Sequence, residues 1–470
     1  MKLKFYNTLG RQIQDFIPLV PPEVGLYTCG PTVYNFAHIG NLRTYIFEDL
    51  LRRTLEYAGY SVRHIMNVTD VGHLTDDADE GEDKMVKSSR EEGRSVWDIA
   101  KFYTEAFFKD TDRLNILRPH TACAATDHIQ EMIDLIRRIE ENGFTYSSGG
   151  NLYFSIDACN DYGKLALLDR EGLRAGARID VDGMKRNPHD FVLWFTNSKF
   201  THQAMMWDSP WGRGYPGWHV ECSAMSMKYL GEQFDIHCGG VDHIPVHHTN
   251  EIAQSEAATG KKPWVRYWLH GEFLLMNTEK MAKSAHNFIT LDSLTDEGFS
   301  PLDYRYFCLG AHYRRELVFS REALEGARIA RNNLVERVQR LREAAEPVDE
   351  KDLSEKGSAY LQAFREHLAE DLGVTRSLAD LWSLLKDPEL PEGDKLTLLL
   401  DMDKIFGLKL AETGKETGEV SEDILDLIKR REEARKNRDF TEADRLRDQL
   451  DQLGIVLEDT PAGTRWKRKV

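Results

Sequence analysis

The sequence predicts an α/β fold: a parallel-sheet nucleotide-binding domain with an insertion, then a helical domain and a small α+β module. Three observations predict it. The chain opens as strand, helix and strand, the same alternation resumes after about residue 205, and the pattern turns helical from about residue 305. A length of 470 residues, 41% hydrophobic and 30% charged, supplies apolar side chains for more than one core.

The first three elements follow from their residue patterns. Residues 24–29, VGLYTC, form a short apolar run that predicts a buried strand. The segment HIGNLRTYIFEDLLRRTLEYAGY has apolar residues at helical spacing and is closed by Gly59. The run SVRHIMNVT predicts the next strand. A strand–helix–strand unit joins parallel strands, so a parallel sheet is expected.

The later elements are predicted in the same way. Residues 91–142 predict charged helices, and 144–200, rich in turn residues, predict an insertion of short strands. VECSAMSMKYL and NEIAQSEAAT predict helices around the strand FDIH, and WLHGEFLL predicts another strand. Leu334, Val338 and Leu341 recur on one helix face. Two helices and a strand, ILDLIKRREEARKNRDF, TEADRLRDQLDQLG and IVLED, end the chain.

The composition excludes several classes of protein. The mean hydropathy is −0.50 and no apolar run is long enough for a bilayer, which excludes a membrane protein. The N-terminal residues lack the apolar stretch of a secretory signal. Six scattered cysteines do not resemble a disulfide framework. We therefore expect a cytoplasmic protein whose thiols are free for metal or thiol chemistry.

The net charge argues against sequence-blind nucleic-acid binding. The 61 Lys and Arg against 78 Asp and Glu leave −17, and such a field repels phosphate. A selective nucleic-acid enzyme with local basic surfaces is still compatible with it. Residues 429–469 contain 12 basic and 9 acidic residues, a local excess of +3. A solvated charged helix is the simpler interpretation of that tail on its own.

A candidate phosphate site lies at the start of the first long helix, in AHIGN at residues 37–41. Helix N-termini present unpaired N–H groups and partial positive charge, which suit phosphate. Gly40 lets a ligand approach the backbone, and His38 can donate a hydrogen bond to a phosphate oxygen. The alternative is a helix start with an incidental histidine.

A second candidate is the polar loop EKMAKSAHNF, residues 279–288. Lys280 and Lys283 could neutralise negative charge that develops on a triphosphate. A solvated, lysine-bearing loop is the simpler interpretation of this motif alone.

One further pattern is rejected. Residues 212–217, GRGYPG, fit the dinucleotide-binding pattern G-x-G-x-x-G. WDSPW rather than a strand precedes them, and Pro216 lies where the helix should begin.

The chain also contains soft metal ligands. His247 and Glu251 are four residues apart and share one helical face. Together with Cys29 and Cys222 they would make a zinc site, since strand ends of a parallel sheet converge at one edge. Spacing alone does not choose the ligands, and it leaves a core role open. The competing candidates are His237, Cys238, His243 and His248.

In their order along the chain, these segments resemble the class I aminoacyl-tRNA synthetases, and within them the cysteinyl-tRNA synthetase family. AHIGN resembles the first signature of the class, and KMAKS the second. The resemblance covers nearly the whole chain. Its longer matches are YTCGPTVYNFAHIGN, NVTD, KRNPHDFVLW, WDSPWGRGYPGWHVECSAM, FDIHCGGVDHIPVHHTNEIAQSEAATG, EARKNRDFTEADRLRDQL and GIVLEDTPAGTRW.

The resemblance implies a set of site residues. The implied zinc ligands are Cys29, Cys222, His247 and Glu251. The implied pocket for the substrate cysteine contains Thr69, Trp218 and His237. The implied ATP contacts are His38, Gly40, Asn41, Gly240, Asp242 and Lys283. The residues with a catalytic role on the phosphates are His38, Asn41, Lys280 and Lys283. The implied anticodon contacts are Arg435, Asp444, Asp459 and Trp466.

The sequence departs from the family pattern in places. HIGN replaces the commoner HIGH, so Asn41 is expected to supply the second hydrogen bond to phosphate. KMAKS has Ala282 where serine is usual. HCGGVDHIPVHH replaces a glycine and an apolar-Phe-Pro run, and we expect Cys238 and His243 to lie near the metal.

The resemblance also implies a division of the chain into domains. A Rossmann-like catalytic domain is followed by a helical bundle domain and a small α+β anticodon-binding module. The implied boundaries are 1–115 and 205–270 for the catalytic domain, 116–204 for a connective insertion, 271–315 for the signature-loop and stem-contact region, 316–410 for the helical domain, 411–422 for a linker and 423–470 for the anticodon-binding module.

The implied activity is that of a cysteine–tRNA ligase, which activates L-cysteine with ATP to cysteinyl-adenylate and transfers it to tRNA(Cys). One Zn²⁺ per chain, Mg²⁺ with ATP, and a monomer without membrane contact are expected. An apolar pocket separates near-isosteres such as cysteine and serine by only about 10²-fold. Zn²⁺ prefers a substrate thiolate to a neutral hydroxyl, so no editing domain is needed.

Two other functions are considered. A cysteine:amino-sugar ligase of mycothiol biosynthesis shares the zinc site and the adenylation chemistry, but residues 423–470 argue against it, because that ligase lacks the full end module. A catalytically idle synthetase paralogue that binds RNA is the other alternative. The presence of His38, Lys280, Lys283 and all four implied ligands argues against that one.

Overall fold

The computed structural model describes residues 1–71, 88–89, 93–168, 184–197, 205–276, 279–280, 288–412, 422–437, 439–453, 455–460 and 463–468. The chain divides into two compact units, Met1–Leu410 and Ala411–Val470. None of the helices in these ranges is both long enough and apolar enough to cross a bilayer.

The first part of the chain alternates strands and helices. In order, it contains β1 (Lys4–Asn7), β2 (Gln12–Asp15), β3 (Glu23–Thr28), α1 (Ile39–Tyr57), β4 (Ser61–Val68), α2 (Val96–Arg113), β5 (Thr121–Ala124) and α3 (Ile129–Glu141). The predicted opening strand, helix and strand are confirmed. The expectation of helices throughout 91–142 is wrong at β5, because that segment pairs with β4 as an outer strand of a parallel sheet.

Short strands follow, as predicted for the insertion. They are β6 (Thr145–Ser148), β7 (Asn151–Phe154), β8 (Phe191–Phe195) and β9 (Tyr215–Pro216). They form an antiparallel sheet in the order β6-β7-β8-β9. Pro216 of the rejected glycine pattern therefore lies in an antiparallel strand and not at the start of a helix.

The remainder of the first unit turns progressively helical. It contains α4 (Trp218–Leu230), β10 (Phe234–Gly240), α5 (His247–Thr259), β11 (Val265–Gly271), β12 (Leu274–Met276), β13 (Glu279–Lys280), α6 (Leu291–Asp296), α7 (Pro301–Leu309), β14 (Leu317–Phe319), α8 (Arg321–Ala344), α9 (Glu355–Ala369), α10 (Val374–Lys386) and α11 (Glu392–Phe406). The predicted apolar face of α8, at Leu334, Val338 and Leu341, is buried.

The central sheet has five parallel strands in the order β11-β10-β3-β4-β5. From β3 the chain proceeds outward to β4 and β5, and it later returns to the other side for β10 and β11. The order therefore reverses between β3 and β10, and open α/β sheets bind ligands at the carboxyl ends of strands at such a point. Leu26 and Ile236 pack with the leucines of α1, whereas Tyr27 packs on the opposite face with α3, α4 and α5.

A buried ion pair ties α1 to the helical region. The Arg305 Nη2 atom in α7 lies 2.5 Å from Asp49 Oδ2 in α1, and both side chains are fully buried. Arg305 also donates to the Phe406 carbonyl oxygen at 2.6 Å, at the end of α11. Burial alone would raise the pKa of Asp49, but Arg305 and Arg53 outweigh it and hold this pKa below its usual range.

The second unit is a small α+β module. It contains α12 (Glu422–Lys436), α13 (Phe440–Gln452), β15 (Ile455–Thr460) and β16 (Gly463–Arg468), and the two strands form an antiparallel hairpin. The predicted two helices and strand are confirmed, while β16 was not predicted. The described core consists of Leu427, Ile428, Leu446, Leu450, Ile455 and Leu457.

Candidate active site with a metal-binding cluster

Four buried side chains from three parts of the chain meet where the strand order reverses. Cys29 follows β3, Cys222 lies in α4, and His247 and Glu251 lie in the first turns of α5. Their ligand atoms all lie within 4.8 Å of one another. The tertiary structure thus brings together four residues that span more than 200 positions of sequence, and the cluster can hold a metal ion.

A second donor set overlaps the first. Cys29 and Glu251 also meet His237 and His248, again with all ligand atoms within 4.8 Å of one another. His248 Nε2 lies 3.2 Å from Cys29 Sγ, and His237 Nε2 lies 2.8 Å from Glu251 Oε2. If the metal is bound by the first set, the imidazoles of His248 and His237 contact its ligands Cys29 and Glu251 without binding the metal themselves. Ligands of a metal commonly have such outer hydrogen-bond partners.

The electrostatics of the cluster favour a cation. A hydrogen bond with Cys29 lowers the pKa of the Cys222 thiol to about 6. Burial would raise the pKa of Glu251, but His237 and His247 lower it to about 2. Burial would lower the pKa of His247, but Glu251 and Cys222 raise it to about 10. A proton on His247 thus stabilises both the Glu251 carboxylate and the Cys222 thiolate. A divalent cation bound by these groups can displace that proton.

One oxygen of the cluster supports the same interpretation. Glu251 Oε1 is buried and lies 2.9 Å from His247 Nε2, yet it has no partner in hydrogen-bond geometry among the described residues. A buried carboxylate oxygen without a hydrogen bond is costly. A metal ion bound by two sulfurs, a nitrogen and this oxygen would satisfy it, so the donor set fits Zn²⁺.

Further histidines orient the cluster and were not found by sequence reasoning. His219 Nδ1 lies 3.0 Å from His247 Nδ1. His270 Nε2 lies 2.7 Å from His248 Nδ1, and its own Nδ1 lies 2.8 Å from Thr8 Oγ1. The density of histidines in the sequence was the only signal, because these contacts join α4, α5, β11 and the residue that follows β1.

The insertion is anchored to the helix that carries two of the cluster residues. Tyr162 donates from its hydroxyl group to Asn250 Oδ1 at 2.7 Å, and Asn250 precedes Glu251 in α5. Lys164 Nζ lies 2.5 Å from Glu256 Oε2 and 2.9 Å from Asp161 Oδ2. These contacts hold α5 against the insertion and thereby restrain His247 and Glu251.

The three residues expected to contact the substrate cysteine lie around this cluster. The Trp218 ring centroid lies 4.5 Å from that of His247. The His237 ring stacks on Trp268, with centroids 4.6 Å apart. Thr69 donates to Glu221 Oε2 at 3.3 Å, and Glu221 directly precedes Cys222 in the chain. All three side chains are thus within one contact of the donor cluster or of the residue beside it.

Cys238 does not join the cluster, contrary to the expectation. Its thiol packs with Leu26 and the leucines of α1, because successive side chains of β10 alternate between faces and His237 takes the other one. His243 does lie close, with ring centroids 5.3 Å from His247 and 5.0 Å from His248. Gly239 makes this packing possible, since a Cβ there would lie 2.6 Å from His243 Nδ1.

The first signature motif forms the N-cap of α1. Asn41 donates from its backbone N–H to His38 Nδ1 at 3.1 Å, and Asn41 Oδ1 accepts from the His38 N–H at 3.3 Å. This is a capping box, with the histidine ring as acceptor. Because Nδ1 accepts, the neutral ring carries its proton on Nε2, which makes Nε2 the donor nitrogen of the ring. Gly40 is required here, since a Cβ would lie 2.9 Å from His38 Nδ1.

The other predicted ATP contacts lie at the end of β10 and at and after β13. Gly240 ends β10, and Asp242 lies exposed in the 3-10 turn Val241–His243 that follows directly. Lys280 ends β13, but its side chain lies outside the described set, and Lys283 lies outside the described residues.

The predicted anticodon contacts lie in the second unit. Arg435 in α12 and Asp444 in α13 are exposed. Asp459 lies in β15 opposite Thr464, and Trp466 lies in β16 opposite Leu457. The side chains of Asp459 and Trp466 are outside the described set.

Two family profiles match the chain. One is described as "tRNA synthetases class I (C) catalytic domain" and matches residues 15–329. The other is described as "Cysteinyl-tRNA ligase anticodon binding domain" and matches residues 417–466. Together they account for the sheet domain, the start of the helical region and the C-terminal module.

Similar proteins agree with these profiles. A cysteine–tRNA ligase of Treponema denticola is 55% identical, with 100% of both chains covered. One from Borrelia garinii is 47% identical over 100% of both, and cysteine–tRNA ligase 1 of Burkholderia lata is 48% identical over 99% of this chain and 97% of its own.

The solved structures support the fold alone. The methionyl-tRNA synthetase of Mycobacterium tuberculosis, in complex with methionyl-adenylate, has a TM-score of 0.57 at 18% identity, and covers 86% of this chain and 94% of its own. The chain therefore combines a parallel sheet, a cluster of side chains that could hold a metal ion, and full-length similarity to these relatives. This chain belongs to the cysteinyl-tRNA ligase family of class I aminoacyl-tRNA synthetases.

Proposed function

We propose that this enzyme is a cysteine–tRNA ligase: it activates L-cysteine with ATP and transfers the cysteinyl group to tRNA(Cys). The observation that carries the proposal is the convergence of Cys29, Cys222, His247 and Glu251 at the reversal of strand order. The full-length similarity to cysteine–tRNA ligases supports it.

The same four residues would hold Zn²⁺. Two sulfurs, one imidazole and one carboxylate are donors that zinc accepts, and all four side chains are buried. When bound there, Zn²⁺ supplies a soft Lewis acid that prefers a thiolate to a hydroxyl. This preference would favour cysteine over serine, while Thr69, Trp218 and His237 would enclose the substrate and exclude water.

The activation step needs no nucleophile from the protein. The substrate carboxylate attacks the α-phosphorus of ATP, a new P–O bond forms, and the bond to pyrophosphate breaks. The Nε2 proton of His38, the Asn41 amide, Lys280 and Lys283 would stabilise the negative charge on the phosphates, with Mg²⁺ accompanying ATP. In the second step a terminal ribose hydroxyl of the tRNA attacks the acyl carbon, and AMP leaves.

The second unit would read the anticodon. Its exposed Arg435 and Asp444, with Asp459 and Trp466, are suited to hydrogen bonding and stacking with unpaired bases. The boundary between the compact units, at residues 410 and 411, supports the predicted linker at 411–422. A cytoplasmic monomer is proposed, and the free state of all six cysteines fits a reducing compartment.

Charging of total tRNA with labelled cysteine tests the proposal. We expect cysteinyl-tRNA to form, and we expect a chelator to abolish both charging and cysteine-dependent pyrophosphate exchange, with recovery on adding Zn²⁺. Labelled serine is the control substrate. Cysteine activation without tRNA charging would favour the amino-sugar ligase, and no activation would favour the idle paralogue.

Replacing Arg435 by alanine tests the role of the second unit. We expect tRNA charging at limiting tRNA to fall by about 10-fold, since a lost base contact costs about 1–3 kcal/mol. Cysteine-dependent pyrophosphate exchange should stay unchanged, because that step needs no tRNA. Arg447, another exposed arginine of the same module, provides the control variant Arg447→Ala. Equal losses in the two variants would contradict a specific contact.

A further inference from the structure

The ring of Phe288 contacts the ring of His38 directly. Their centroids lie 5.7 Å apart with the planes at 88°, an edge-to-face pair. Phe288 follows the KMAKS motif closely in the sequence, whereas His38 belongs to the AHIGN motif. This contact therefore joins the ends of the two signature segments through side chains.

The backbone beside Phe288 is fixed to the same place. Ile39 donates from its N–H to the Ile289 carbonyl oxygen at 2.9 Å, and Thr290 forms an antiparallel bridge with His38. Thr290 also caps α6, as its hydroxyl oxygen accepts from the Ser293 N–H at 3.1 Å. Because Ile289 and Thr290 are bonded to the start of α1 and to α6, the backbone next to Phe288 is fixed. The Phe288 ring is therefore held in place against the His38 ring.

Three features together define the orientation of that ring. The Asn41 N–H holds Nδ1 at the helix cap, and the missing Cβ of Gly40 leaves room for the ring to fold back. Phe288 packs at right angles against it. Edge-to-face pairs favour this perpendicular arrangement, so Phe288 opposes rotation of the imidazole about its Cβ–Cγ bond.

We propose that Phe288 is a positioning residue for the activation step: it fixes the plane of the His38 imidazole, while the Asn41 N–H holds Nδ1, so that Nε2 faces the phosphates of ATP. This inference rests on the proposed function, in which His38 contacts the phosphates. Without the aromatic ring, the imidazole loses one of the contacts that hold it, and rotated states compete more strongly with the productive one. A misplacement of about 1 Å at a reacting group can cost about 10²-fold in rate.

Cysteine-dependent pyrophosphate exchange of the full chain tests the proposal. We expect Phe288→Ala and Phe288→Leu to lower kcat on the order of 10-fold, with the KM for cysteine unchanged. Phe288→Tyr keeps an aromatic ring and should stay within about twofold of the parent. The leucine variant preserves apolar bulk, so it separates loss of the ring from loss of folding, which thermal unfolding monitors.

A double-mutant cycle with His38→Ala gives the decisive result. If Phe288 acts through His38, Phe288→Leu should change kcat by less than about twofold in the His38→Ala background. The matched control is Phe299→Leu, a buried aromatic residue near Arg328 and not His38, which should leave kcat unchanged.

Three outcomes would overturn the inference: parental kcat in Phe288→Leu, an equal loss in both backgrounds, or an equal loss in Phe299→Leu. A parent without exchange activity would instead refute the proposed function.

Discussion

Replacing Cys222 by serine is expected to lower cysteine-dependent pyrophosphate exchange by more than about 100-fold, since even the outer partners of metal ligands are worth about 10–100-fold. Cys222 is fully buried beside Cys29, His247 and Glu251. A serine hydroxyl at this position is neutral and hard, so it replaces the thiolate poorly as a zinc ligand. ATP binding should persist, because the proposed phosphate contacts lie at the N-terminus of α1.

The measurement combines exchange kinetics, ATP binding and zinc content of the purified variant. The matched control is Cys238→Ser. It makes the same change at a fully buried cysteine in β10, whose thiol faces α1 and not the cluster. We expect this variant to keep its zinc and most of its activity. A Cys222→Ser protein with full zinc and parental exchange would refute the ligand assignment.

Replacing Asp49 by alanine is expected to lower the free energy of unfolding by about 3–5 kcal/mol, the usual cost of leaving one member of a buried ion pair alone. Arg305 would keep its carbonyl contacts, including the one to Phe406, but would lose its charged partner. Its guanidinium is fully buried, so water cannot replace the carboxylate. Urea unfolding of the full chain measures the change.

The pH dependence of this stabilisation follows from the direction of the shift. Since the folded pKa of Asp49 lies below its unfolded value, its contribution is complete above the unfolded pKa of about 4 and is lost as pH falls through the folded pKa. The difference in unfolding free energy between the parent and Asp49→Ala should therefore be largest near neutral pH and shrink in acid.

An exposed ion pair provides the control. Asp112 and Arg118 lie 2.5 Å apart, with both side chains about half exposed. Asp112→Ala should cost less than about 1 kcal/mol, because solvent screens such pairs. Similar losses in the two alanine variants would show that the buried pair has no special role.

Much of the fold could be predicted from residue patterns. The apolar spacing around Ile46 and Leu50 indicates α1, and VGLYTC and FDIH indicate β3 and β10, because an amphipathic helix or a buried strand depends on neighbours in the sequence. The strand β5 was not predicted, because its sequence TACA is short and lies between helices. Its strand state depends on pairing with β4.

The sequence by itself determined which chemical groups the protein has: thiols, imidazoles and carboxylates in abundance, a histidine–glycine helix start, and a lysine loop. Only the tertiary structure decided which of them meet. Cys238 and His237 are neighbours in sequence, yet strand alternation sends one to the α1 face and the other toward the metal-binding cluster. Cys29 and Cys222 are far apart in sequence, yet they meet because β3 and β10 are adjacent and α4 packs against them. Contacts of this kind depend on the order of the strands in the sheet and on the face that each side chain occupies. Local sequence patterns do not encode the strand order.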